Sequence, residues 1–135
     1  MNERQWVDAN VIVRFLTKDS PELSPRSLEL FRRAAEGELV LRVASLVVAE
    51  VTWVLGSFYR WSRTEVADGL SGFLAGDGLE VEELDLVLRA LQVMSASNVS
   101  FVDAYLAESA RRAHEPVASF DRSFARLNVE WIEPG

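Results

Sequence analysis

The sequence predicts an α/β protein, a short parallel sheet between two helix layers, folded as one domain over residues 1–135. Three observations carry this prediction. Short apolar runs of strand character recur at QWVDA (5–9), LVLRV (39–43), LEVEEL (79–84), PVASF (116–120) and NVEWIE (128–133). Longer segments with apolar residues three and four apart separate most of them. Strands that alternate with helices pair in parallel and are covered on both faces.

The elements follow in order. A first strand at 5–9 runs into a helix over 10–17. A second helix over 21–35 presents Leu23, Leu28, Leu30, Phe31 and Ala34, and Gly37 ends it. The second strand is 39–43. Ser45 is placed to cap the helix that follows. Ser62 and Glu65 frame SRTE as a capping box opening a helix to about residue 75, although Gly69 and Gly72 weaken it. GDG at 76–78 makes a turn before the third strand. Helices over 85–95 and 101–114 and the last two strands complete the chain. There are no repeats and no internal linkers.

At 135 residues the chain is long enough to bury about 70% of its unfolded surface. With no cysteine, disulfides, thiolate metal sites and cysteine nucleophiles are excluded. MNERQWVDANV is too charged for a signal peptide, and no apolar run approaches the roughly 20 residues that span a bilayer. The expectation is a soluble, cytoplasmic protein without a membrane segment. A net charge of −7 argues against a nucleic-acid partner. A cluster of cation-binding carboxylates would account for part of that charge. Thirteen of the fourteen basic residues are arginine, Lys18 being the exception. Arginine suits bidentate phosphate contact, but a biased genome composition gives the same count.

Four acids stand out. LVVAEVTWVL (46–55) is apolar except for Thr52 and Glu50, and on a helix Glu50 shares its face with Leu46, Val47, Trp53 and Val54. An unpaired buried carboxylate costs roughly several kcal/mol or neutralises itself. It needs a cation or a buried arginine. Asp8 ends the first strand, Asp121 follows the strand VASF, and Asp103 lies in the first turn of its helix. Separately, Asp8 and Asp121 also serve as helix caps and Asp103 complements the macrodipole. Jointly they mean more. In a parallel sheet, ligands gather beyond the carboxyl ends of strands. Carboxylates about 4 Å apart repel by roughly 4 kcal/mol at an effective dielectric of 20. Four converging acids therefore call for a hard divalent cation, magnesium or manganese, which bridges to phosphate oxygens and activates water.

VDANVIVRFLT around Asp8, VVAEVTWVL around Glu50, VSFVDAYLAESAR around Asp103 and VASFDRSFARL around Asp121 together resemble the PIN-domain nucleases. The whole chain is similar to VapC-type toxins of toxin–antitoxin pairs. The resemblance implies a PIN-like three-layer α/β/α sandwich and a magnesium-dependent endoribonuclease. It implies Asp8, Asp103 and Asp121 as metal ligands, direct or through water. Glu50 would complete the shell or orient the attacking water. Asn10 and Ser119 match small polar positions beside the acids, as supports or as local turn formers. A homodimer and a VapB-type antitoxin partner are implied as well. Many relatives carry a further acid where this chain has Ser123, which puts a second metal in doubt.

Other features carry less. His114 is the only histidine, so paired-histidine ribonuclease chemistry is excluded. Trp53, Phe58, Tyr59 and Trp61 suit a core or a dimer interface, and an exposed member could stack on a base. Arg32–Arg33 and Arg111–Arg112 suit solvated helix faces. Two other functions compete with the ribonuclease: a catalytically silent PIN-like interaction module, and a phosphorylated receiver domain. Receivers use a lysine late in the chain, and the only lysine here is Lys18.

Overall fold

The computed structural model describes residues 3–135 and has the expected α/β/α class. β1 (Glu3–Trp6), β2 (Leu39–Val43) and β3 (Leu79–Val81) form a parallel sheet in that order. β4 (Val117–Ala118) and β5 (Trp131–Ile132) form a separate parallel pair. The helices are α1 (Ala9–Thr17), α2 (Leu23–Ala35), α3 (Ser45–Ser57), α4 (Arg63–Leu74), α5 (Leu84–Ser97) and α6 (Phe101–Ala113). Because the pairing is parallel, β1, β2 and β3 all end at one edge of their sheet. The chain leaves that edge into α1, α3 and α5.

The core is shared by β2 and all six helices, and α2 packs directly on β2. Leu39, Leu41 and Val43 on one side of β2 are fully buried, as are Val48, Val51 and Leu55 of α3. Each such side chain contributes roughly 1.5–3 kcal/mol by leaving water. The other side of the sheet is more open. Val40 and Arg42 are half-buried, Arg42 lies 4.5 Å from the Trp6 ring centre, and Arg4 and Arg42 both face Glu80.

Helix ends show which local signals hold. Ser62 accepts the Glu65 amide at 3.1 Å, and the Glu65 carboxylate accepts the Ser62 amide at 2.9 Å, so the capping box is complete. α4 runs unbroken through Gly69 and Gly72. Ser45 does not cap α3. It is the first helical residue, and the cap position belongs to Ala44, whose methyl group cannot accept a hydrogen bond. Glu82 substitutes from across the sheet edge: its carboxylate accepts the Ser45 amide at 3.1 Å and the hydroxyl at 2.8 Å. α1, α5 and α6 turn off through left-handed residues, Lys18, Asn98 and His114, none of them glycine; Arg60 and Glu83 share that conformation.

The arginine pairs divide. Arg32 and Arg33 bond Glu29, Glu36 and Glu38 on an exposed face, as expected. Arg111 and Arg112 instead grip Glu108, which is buried.

Asp19, just beyond α1, ties that helix to the end of α3. Tyr59 donates to its carboxylate at 2.6 Å, Thr17 at 2.9 Å and Arg14 at 3.0 Å. Tyr59 above all, then Thr17 and Arg14, pull the Asp19 pKa down from 3.8 to about 2 against a smaller opposing effect of desolvation. A depressed carboxylate stabilises the fold above its ordinary pKa and loses that contribution as pH falls through the folded value. The stability difference between the parent and Asp19→Asn should therefore be full near neutrality and vanish between pH 3.8 and about 2. Urea denaturation across that range measures it, and a gap independent of pH would refute this account.

Candidate active site

β1 delivers Asp8 to the sheet edge. Its carboxylate accepts the Ala9 amide at 2.9 Å, so the residue does cap α1. Asp103 sits half-buried in the first turn of α6, its amide donating to Ser100 at 3.1 Å. Asp121 follows β4 and caps the 3-10 helix Arg122–Arg126. Its carboxylate accepts the Ser123 amide at 2.9 Å, and its own amide donates to Ser119 Oγ at 2.9 Å. The Ser123 backbone, ahead of any other group, holds the Asp121 pKa below the usual carboxylate range. Trp131 fixes the same turn by donating to the Ser119 carbonyl at 2.8 Å. Asn10 is exposed in the first turn of α1, beside a crevice shared with Arg14 and Arg26.

Glu50 departs from expectation. Its helical face is apolar but open to solvent: Leu46 is 82% exposed and Trp53 68%, while α3 buries Val48, Val51, Thr52 and Leu55 instead. The carboxylate is solvated, and among the described residues it makes no ion pair, so neither reason for a buried charge applies. The error is instructive. A helix that is apolar all round has no periodicity to say which side is the core.

The elements carrying the acids are nonetheless neighbours. α3, which bears Glu50, packs against α1 and α6, and α6 packs against β4. The side chains do not close into a cage: among the described residues, no three of Asp, Glu and His stand close enough to hold a metal ion. In donor type, carboxylate oxygens suit a hard divalent cation, with waters completing the shell.

The structure adds residues that the sequence reading passed over. Glu83, at the start of α5, accepts Tyr105 OH and lies 3.3 Å from Ser45 Oγ. Tyr105 is two residues beyond Asp103, and its bond to Glu83 raises its pKa. Ser45, Glu82, Glu83 and Tyr105 thus lock the starts of α3 and α6 to the end of β3. The signal was two consecutive acids immediately after the third strand. Ser123 is also informative: its hydroxyl is buried with no hydrogen-bond partner among the described residues. Ser123→Ala should leave stability unchanged or raise it by up to about 1 kcal/mol, since only an unsatisfied group is lost. Thermal melting of the two proteins checks this; a loss beyond that range would mean the hydroxyl is bonded.

The sequence model of the PIN domain matches residues 6–130. The VapC ribonuclease of Aquifex aeolicus (strain VF5) is 22% identical over 129 residues, covering 95% of each chain.

Proposed function

Because the chain belongs to the PIN-domain family, we propose that it is a divalent-metal-dependent endoribonuclease and the toxin of a toxin–antitoxin pair. The family match carries the reading, because residues 6–130 include all four acids. The relative named as a VapC ribonuclease aligns over nearly the full length of both chains and supports the same activity.

In this reading Asp8, Asp103 and Asp121 hold magnesium or manganese, directly or through water. When bound, the ion would neutralise charge at the phosphate and acidify a water. The protein's own contribution is to orient the acids. Ser123 and Ser119 fix the Asp121 turn, and the lowered pKa keeps that carboxylate charged well below neutrality. Asn10 supports the Asp8 turn. Glu50, exposed to solvent, would orient the water or complete the ion's shell.

Two surfaces suit the implied partners. Leu46, Trp53, Val102 and Leu106 expose an apolar face on α3 and α6, fit for a second copy of the chain. A cleft of about 490 Å³ lined by Phe15, Leu28, Phe31, Gly72 and Phe73 suits an apolar segment of a VapB-type antitoxin. No described helix is long and apolar enough to cross a membrane, and the cytoplasm, where both partners and RNA are found, is the proposed location.

The deciding experiment incubates purified protein with a structured RNA in magnesium, manganese or EDTA. Cutting with either metal and none in EDTA is expected. Equal cutting in all three would overturn the metal-dependent mechanism. No cutting in any, with partner binding retained, would favour the silent interaction module.

A further inference from the structure

Trp6 is 61% exposed, although it belongs to a strand of the central sheet. Alternation along β1 places Gln5 and Val7 on the side facing the helices and Trp6 on the other, in step with Asp8. The burial agrees, since Val7 is buried and both Trp6 and Asp8 are exposed. Across the sheet, Trp6 pairs with Arg42, whose guanidinium stands 4.5 Å from the ring centre. Arg4 occupies the same side two residues earlier and bonds Glu80. Arg42 lies 3.8 Å from that carboxylate. One acid thus serves two arginines. An indole fixed by a cation, open to solvent and flanked by positive charge, is what nucleobases and phosphates recognise together.

We infer that Trp6 and Arg42 form a stacking site for one base of single-stranded RNA, next to the nucleotide cut at the acids. The inference rests on the ribonuclease reading above. Trp6 and Asp8 are about 7 Å apart along the strand, so a base on the indole places its neighbouring phosphate toward Asp8. Stacking tolerates any base, and an indole face accepts purines and pyrimidines alike. The site therefore aligns an unpaired strand without reading its sequence. A paired helix, whose bases are stacked on each other, is refused. This offers a way for a protein of net charge −7 to hold RNA through a small, locally favourable surface.

The test measures binding of a short fluorescein-labelled single-stranded RNA by polarisation, in the Asp103→Asn background so that the probe survives. Trp6→Ala should weaken binding about tenfold or more, and Trp6→Phe should restore most of it. RNA should quench tryptophan emission in the parent, and Trp6→Phe should lose that quenching even if Trp6→Ala folds poorly. In the cleaving protein, Trp6→Ala should raise KM with kcat nearly unchanged. Unaltered binding and quenching, with cleavage intact, would overturn the stacking site alone. A change in oligomeric mass without a change in RNA affinity would assign Trp6 to a protein contact instead. A parent that neither binds nor cuts RNA would remove the ribonuclease reading and this inference together.

Discussion

Asp103→Asn is expected to leave the protein folded and to slow RNA cleavage at least about a hundredfold. Asparagine keeps the shape of the side chain and the backbone amide that Ser100 caps. It removes a negative charge from the first turn of α6, which weakens the helix by only about 0.3–1 kcal/mol. The tie from Tyr105 to Glu83 is untouched, so the start of the helix stays in place. On the proposed mechanism, the loss comes from the missing charge where the metal would bind. Initial rates in magnesium, with circular dichroism and melting as controls, separate chemistry from folding. Asp8→Asn should behave alike, with its capping of Ala9 retained through the amide oxygen. Full activity in both variants would sink the mechanism.

Gly78→Ala should be the most damaging single methyl in the chain. Gly78 has φ +83°, and a β-carbon there would lie 2.2 Å from the Ala34 carbonyl oxygen and 2.8 Å from the Ala34 side chain. The backbone strain costs about 1–2 kcal/mol and the overpacking a further 1–3 kcal/mol. The contact is with backbone at the end of α2, which cannot swing aside as a long side chain would. Relief requires β3 to move, yet the Gly78 carbonyl accepts the Leu41 amide at 2.9 Å. A loss of about 2–5 kcal/mol in denaturant unfolding is expected. Gly72→Ala, with nothing within 4 Å of its added carbon, should be neutral or stabilising and serves as the control.

Signals confined to a few residues were legible in the sequence. β2 spans residues 39–43 because LVLRV is bounded by polar residues and by Gly37, whose φ is +83°. The capping box at Ser62 needs only its own four residues. β1 begins at Glu3, before the apolar run that marks it, because Glu3 and Arg4 pair through their backbones while their side chains face water. β4 and β5 each keep only two paired residues; Asn128, at φ 57°, interrupts the expected approach to β5. The site was legible in part. Helix and strand order placed the acids on elements that do pack together. Glu50 was misjudged because burial is decided by tertiary packing, and Glu82 and Glu83 were passed over because their partners, Ser45 and Tyr105, are more than twenty residues away. The aromatic group split for the same reason: Tyr59 and Trp61 pack on the core, and Trp53 and Phe58 remain exposed.

Left-handed residues at helix ends and in one loop amount to an unused reserve. A side chain in that conformation costs about 1 kcal/mol relative to glycine, somewhat less for asparagine. Lys18, Arg60 and His114 carry this penalty, and among the described residues no side-chain hydrogen bond offsets it. Replaced together by glycine, they would return roughly 2–3 kcal/mol, a sizeable share of the 5–15 kcal/mol that a domain has in all. Glu83 is the exception that shows what such a penalty can secure. Its carboxylate receives Tyr105 and sits beside Ser45, and a glycine there would relax the turn while releasing the helix that carries Asp103. Durability and a fixed active site are therefore separable in this chain, the first to be raised at Lys18, Arg60 and His114 while Glu83 is left alone.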